Sequence, residues 1–512
     1  MSMRRSRVLV AAGCLAGSVA IGLAQSQSDD DVAKRQLESG RSFARTGNYT
    51  EALKDFRAVA ETHPASSVAD DAWLEIARYY LDIAGDAKEA GTAVDAILKK
   101  YSTSNSAPAA YVMAGRLALA RSRQSADLDT ALANFDRVPR LFPNSPEVPR
   151  SLLFLGDTLW FAGRRQEALG HLERVTADFP ANPAAADAFV SASRALVSLG
   201  DPILAMEELQ QARDRWPKTA AASTALARLT LLNRLYVRAK TGQAAYTYSP
   251  EQVGPQKFQN FVGMAVTGSG AAYWATESGV GIVTPADAPR PPSVPKPRGL
   301  TLDNTGALVV IDGATLRVLG GDNKAFFLPQ SNGSSKPVDK IDAAVQLSSG
   351  EWLVMDGDGK MIHRFSSDVK YLGTFAATRV TRLAVNTVDE VAALERDEQN
   401  VTIFDAAGKV RTRVPFKGTG YALQDPEDIA FDAFGHLYVL DRTAVAVFSP
   451  YPAVMTGAAM APGAPPTYRL VTLFSVPETS PGAFRRATAF GLDPSGAIFL
   501  YDDRAERVQV YR

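Results

Sequence analysis

Between about residues 36 and 217, apolar and small residues recur five times in one register. The most legible copy is Leu152-x2-Leu155-Gly156-x2-Leu159-x3-Gly163-x4-Ala168-x3-Leu172-x2-Val175-x4-Pro180. The first copy aligns Gly40, Phe43, Gly47, Tyr49, Ala52, Phe56, Val59 and Pro64. The third and fifth follow with Gly115, Phe135 and Pro143, and with Ser193, Gly200, Leu209 and Pro217. The second is looser and carries Tyr101 where the others have proline. Apolar residues at relative positions 4, 7, 8 and 11 make one stripe on a helix. Small residues at positions 8 and 20 let paired helices approach closely. Glycine at position 15 ends the first helix by taking a left-handed conformation at low cost. Proline near position 32 stops the second. Each copy is therefore a helical hairpin that must stack on its neighbours to bury its face, and Thr219 to Lys240 reads as a capping helix.

From about residue 242 the period changes to short β-rich runs broken by Gly, Asp and Asn. Leu300–Asp312, Ile429–Asp441 and Phe490–Asp502 share a strand, a turn of the form Asp-x-x-Gly, and a second strand. Weaker copies surround Gly270, Gly350 and Asp389, and third and fourth strands follow in most. Four strands per unit of about 40 residues describe a propeller blade, and six copies predict six blades. The last copy reaches Arg512 with three strands, so Ala244 to Tyr248 is expected to supply the fourth and close the ring.

The first pattern resembles the tetratricopeptide repeat (TPR) family. The endings Thr62-His63-Pro64, Leu141-Phe142-Pro143 and Asp178-Phe179-Pro180 make it most similar to periplasmic envelope proteins of the BamD and YbgF type. The second pattern resembles the NHL-repeat six-bladed propeller. The first resemblance implies a groove that binds a peptide or partner helix. The second implies either an interaction surface or, as in gluconolactonase-like and lyase-like propellers, an enzyme.

Charge adds little to this picture, with 55 basic and 55 acidic residues. A neutral chain has no global field to draw it to nucleic acid or an anionic membrane. The lone cysteine, Cys14, excludes a disulfide framework and a Cys-based zinc site. Four histidines, His63, His171, His363 and His436, stand far apart. Residues 1–24 read as an export signal: Arg4, Arg5 and Arg7, then an apolar run from Val8, then Gly22-x-Ala24 before the cut. Lipidation of Cys14 and an uncleaved anchor are the rival readings. The run of roughly 17 residues is short for a span.

Two sets of residues invite a functional reading. Relative position 9 holds Arg41, Arg78, Arg116, Asp157 and Arg194, on the face of each first helix that lines the groove in TPR stacks. A row of arginines suits an acidic segment or a C-terminal carboxylate, which guanidinium binds bidentately. The plainer alternative is pairing with internal carboxylates such as Asp71 or Asp157. In the second half Asp312, Asp356, Glu395, Asp441 and Asp502 each follow a second strand. Recurrence in nearly every blade favours a turn role, with the carboxylate accepting backbone N–H groups. His436, after Gly435, reads as a solvent-facing rim residue. Two inserts, Pro285 to Pro297 and Ser449 to Thr467, are long enough to serve as contact surfaces.

The expectation is an α-then-β multidomain chain: signal 1–24, TPR solenoid 31–240, and propeller 242–512. It is a non-enzymatic protein-binding scaffold of the bacterial cell envelope, periplasmic or outer-membrane associated, with no cofactor, metal or nucleic acid. The alternatives are a lactonase- or lyase-like propeller enzyme and a small-ligand sensor.

Overall fold

The computed structural model describes residues 29–121, 125–239, 241, 243–251, 253–284, 288–357, 361–376, 379–451 and 466–512. The export signal, Cys14 and most of the second insert lie outside the described residues. An N-terminal region of helices is followed by a six-bladed β-propeller. The chain forms two compact units that divide between Thr158 and Leu159.

The first unit holds α1 (29–45), α2 (Tyr49–Arg57), α3 (Ala69–Arg78), α4 (Ala87–Lys100), α5 (Ala107–Arg121), α6 (Ser125–Leu141) and most of α7 (Val148–Phe161). Wider π turns prolong α2 through Ala58–Thr62 and α3 through Tyr79–Ala84. Asn48 and Asp86 cap α2 and α4 by accepting first-turn amides. The position-8 glycines do what their spacing implies. A Cβ on Gly40 would stand 2.6 Å from the Phe56 ring, and one on Gly115 would stand 2.4 Å from Phe135. These two hairpins are thus closed by a phenyl ring laid on bare backbone. Tyr101, which replaces the terminal proline of the second copy, donates its hydroxyl to the carbonyl of Pro64 at 2.7 Å.

The second unit begins with α8 (Arg165–Asp178), α9 (Ala184–Leu199), α10 (Pro202–Arg215) and α11 (Ala220–Leu232), the last prolonged by a π turn at Asn233–Arg238. Gly200 ends α9 in the left-handed region with φ 92°, its amide bonding back to Leu196 and Val197. The propeller follows. The clasp strand β1 is Tyr248–Ser249. Blade one is β2 (Phe261–Val266), β3 (Ala272–Thr276) and β4 (Gly279–Thr284). Blade two is β5 (Gly299–Leu302), β6 (Leu308–Asp312), β7 (Thr315–Val318) and β8 (Lys324–Ala325), followed by a small hairpin, β9 (Phe327–Pro329) and β10 (Ser335–Pro337). Blade three is β11 (Ile341–Gln346), β12 (Trp352–Asp356), β13 (Met361–Phe365) and β14 (Tyr371–Ala376). Blade four is β15 (Val380–Val385), β16 (Val391–Glu395), β17 (Asn400–Phe404) and β18 (Val410–Pro415). Blade five is β19 (Pro426–Phe431), β20 (Leu437–Asp441), β21 (Ala444–Ser449) and β22 (Arg469–Ser475). Blade six is β23 (Ala487–Leu492), β24 (Ile498–Asp502) and β25 (Arg507–Tyr511), completed by β1.

The innermost strands β2, β5, β11, β15, β19 and β23 touch in sequence and close the ring. Closure is sealed by β1 on β25, with Tyr248 opposite Tyr511 and reciprocal backbone bonds between Thr247 and Arg512. A Greek-key or open sheet would leave long edges; radial closure leaves only short ones. The recurrent Asp-x-x-Gly turn has a direct cause. The side chains of Asp303, Asn386, Asp432 and Asp493 each accept the amides two and four residues on, fixing the hairpin between the first two strands.

Candidate interaction surfaces

The arginine row begins on the first helices of the hairpins in the first unit. Arg41 donates Nε to Glu75 at 2.9 Å and also faces Glu38 at 3.2 Å and Asp71 at 3.9 Å. Arg78 lies 3.5 Å from the same Glu75. Arg116 reaches back to Asp82 at 2.6 Å. These three guanidinium groups are therefore matched with carboxylates, mostly from the neighbouring first helix. Glu75 brings Arg41 and Arg78 together, while Arg116 pairs separately. All of these side chains keep part of their surface in solvent, Arg78 the most among the arginines at 45%. Asp157 stands on α7. Arg194, in the second unit, lays its guanidinium 4.6 Å from the centre of the Trp160 ring and donates to Ser191 at 3.2 Å. The carboxylates that complete the row, Glu75 and Asp82, were not legible because they occupy different positions of the repeat.

The carboxylates that end the second strands are engaged locally. Asp441 accepts the amides of Gln424 and Asp425, at 3.0 and 2.6 Å, and the hydroxyl of Tyr421 at 3.1 Å. Burial and the neighbouring Asp441 charge push the Tyr421 hydroxyl up to about 12. Asp502 accepts the amides of Arg485, Arg486 and Arg504. Asp312 pairs with Arg317 at 2.7 Å, and Glu395 accepts the Thr402 hydroxyl. Asp356 lies 3.5 Å from the buried His363. Asp502 takes backbone amides, Asp441 amides and a hydroxyl, and Asp312 and Glu395 side chains, whereas Asp356 Oδ1 and both ring nitrogens of His363 are buried without a hydrogen bond among the described residues. Among the described residues, no group of three or more His, Cys, Asp or Glu side chains could hold a metal ion.

His436 is not the solvent-facing rim residue that its turn position suggested. It is 0% exposed. Its Nδ1 lies 2.7 Å from Asp432 and its Nε2 lies 2.7 Å from the hydroxyl of Tyr236. In the neutral imidazole tautomer that turns its Nδ1–H to the Asp432 carboxylate, Nε2 accepts from the Tyr236 hydroxyl. The cause of the burial is the end of α11 with the π turn that follows it, which pack on blades five and six. Arg234 donates to the Ser495 carbonyl, Arg228 lies 5.8 Å over Phe434, and Leu231 covers Gly496. Tyr246 and Tyr438 bond at 3.2 Å beneath them. Equivalent turns place Ala271, Ala307, Glu351, Glu390 and Ala497 where blade five has His436. The departure from the repeat occurs where a helix sits on the blade.

Residues 29–189 match the profile of a family described as YfiO, outer membrane lipoprotein. No curated protein sequence matches the chain. Solved structures with similarity include a streptogramin B lyase, 7% identical over 52% of this chain and 97% of that one, with a TM-score of 0.35. A virginiamycin B lyase from Staphylococcus aureus is 12% identical over 50% and 82%, with a TM-score of 0.34. The protein YrrB, described as a TPR protein with an unusual peptide-binding site, is 21% identical over 37% and 90%, with a TM-score of 0.28.

Proposed function

We propose that this chain is an exported, non-enzymatic interaction scaffold of the cell envelope, in which the first-helix row carrying Arg41, Arg78, Arg116, Asp157 and Arg194 contacts a protein or peptide partner. The observation that carries the reading is the match of residues 29–189 to an outer-membrane lipoprotein family. The charged, part-exposed first-helix row supports it. Proteins of helical-repeat architecture use such faces for binding. The pairing geometry refines the partner chemistry expected from the sequence. Arg41, Arg78 and Arg116 stand among Glu38, Asp71, Glu75 and Asp82, three cations against four carboxylates. A purely acidic segment would meet as much repulsion as attraction there. A helix with both signs of charge at i,i+3 and i,i+4 spacing can exchange pairs with the row without leaving a charge unmatched. The non-enzymatic reading of the propeller rests on the local engagement of Asp312, Glu395, Asp441 and Asp502.

The test is co-isolation after crosslinking of the full-length protein in envelope fractions, repeated with Arg78→Ala combined with Arg116→Ala. Loss of the partner with stability lowered by no more than about 1 kcal/mol supports the reading. A partner retained at wild-type yield by the double variant removes the row from the interface. Turnover of lactones or esters by the purified protein would overturn the non-enzymatic assignment.

A further inference from the structure

Blade one differs from the other five: among the described residues it has three paired strands, not four. The chain that follows β4 explains why. Residues 288–297 read Ala-Pro-Arg-Pro-Pro-Ser-Val-Pro-Lys-Pro, with prolines at 289, 291, 292, 295 and 297. Proline has no amide to donate to a ladder, so this stretch cannot pair along β4. It is held by other means. Ala288 and Val294, the latter 2% exposed, pack into the apolar cluster of Ala265, Tyr273, Leu308 and Val310 between blades one and two. Tyr273 donates its hydroxyl to the carbonyl of Pro289 at 2.9 Å. Between and beyond these anchors, Pro289, Arg290, Ser293, Pro295 and Lys296 are exposed. Lys296 has φ 82°, which ends the straight run before Pro297. Neither Arg290 nor Lys296 forms an ion pair among the described residues.

The result is a strap with three properties. Its prolines favour an extended, polyproline-like backbone up to Lys296, because proline fixes φ near −65°. It is preorganised, because both ends are anchored and the prolines remove backbone freedom, so little ordering remains to be lost on binding. It presents pyrrolidine rings flanked by Arg290 and Lys296, which form no ion pair among the described residues. Aromatic grooves recognise such chains by stacking on proline rings, and acidic residues at the groove edge select basic flanks.

We propose that residues 289–296 are a docking ligand for a partner protein whose groove is lined by aromatic side chains and edged by carboxylates. The strap spans roughly 20 Å at about 3.1 Å per residue, enough for two proline-binding slots and one charged contact. The proposal does not depend on the helical arginine row, which lies in a different part of the chain.

The test places a photo-crosslinking amino acid at position 293 of the full-length protein, in the cells that produce it, and maps adducts by peptide sequencing. The expected result is one dominant adduct whose crosslinked peptide carries aromatic and acidic residues. Its yield falls at least fivefold with Pro291→Ala plus Pro292→Ala, and again with Arg290→Glu plus Lys296→Glu, while the thermal transition is unchanged. Arg78→Ala with Arg116→Ala leaves this adduct intact, which separates the strap from the helical surface. No adduct, an adduct insensitive to the proline changes, or a crosslinked surface without aromatic residues overturns the proposal.

Discussion

Replacing Gly115 by alanine sets two physical effects of opposite sign against each other at one atom. In a helix interior the change is favourable by about 1 kcal/mol, because glycine gives up more backbone freedom than alanine. Here the added Cβ would stand 2.4, 2.6 and 2.8 Å from three carbons of the Phe135 ring. Carbon contacts are comfortable at about 3.5–4.0 Å, so the ring must withdraw by about an ångström. It has nowhere to go. Phe135 is fully buried and stacked on Phe154, with ring centres 5.4 Å apart at 25°. Overpacking of a tight core costs about 1–3 kcal/mol, and an overlap this large belongs near the top of that range. The net expectation is a loss of about 1–2 kcal/mol, or roughly 2–8 °C in the helical transition. Gly91 and Gly170 supply the control. Both sit inside helices with nothing within 4 Å of an added Cβ, so alanine there should gain about 0.5–1 kcal/mol. Thermal and urea unfolding followed by far-ultraviolet circular dichroism reads all three. If Gly115→Ala stabilises as much as Gly91→Ala, close packing at repeat position 8 is not what the glycine serves.

Tyr236→Phe removes the donor to His436 Nε2 and leaves a buried acceptor empty, for a loss of about 1–3 kcal/mol in the second unit. His436→Ala added to it should cost less than the sum of the two single changes, as read by denaturant titration, because both break one network. Asp441→Asn takes the charge from beside Tyr421, so absorbance titration should find the tyrosine below its present value of about 12; an unchanged titration refutes the assigned contact. Burial raises the Asp428 carboxyl above its ordinary value despite Arg382 alongside. A native state that holds this proton more tightly is favoured below the unfolded value of about 3.9 and loses that advantage as pH rises through the higher folded value. The stability of wild type relative to Asp428→Asn should therefore decline with rising pH in the weakly acidic range, and a flat difference rejects the burial effect.

Much of the fold was legible because both halves repeat, and a repeat writes each structural requirement several times. Gly40 and Gly115 announce where helices touch, and Gly47, Gly163 and Gly200 announce where they end; all three of the latter have left-handed φ. Asp303, Asp432 and Asp493 announce the same turn by the same side-chain bonds. What the repeat could not announce are contacts made once. Glu75 and Asp82 meet the arginines from unlike repeat positions. Tyr236 reaches His436 across 200 residues of sequence. A histidine after a glycine in a surface turn gives no sign that a helix will cover it.

The same logic turns the propeller into its own control. Six blades solve one packing problem, so a position that keeps its residue type around the ring serves the ring, and a position that departs serves something local. The turn oxygens are the first kind: the side chains of Asp303, Asp432 and Asp493, and the amide oxygen of Asn386, accept the same two amides in four blades. His436 is the second kind, and its local cause is visible in the π turn of α11. The strap after β4 is also the second kind, since prolines stand where other blades carry a fourth strand. The two departures differ in what they face. His436 is buried and fully bonded, so its partner is already part of the chain. The strap leaves Arg290 and Lys296 exposed and without an ion pair among the described residues, and these are the charges that the proposed partner would meet.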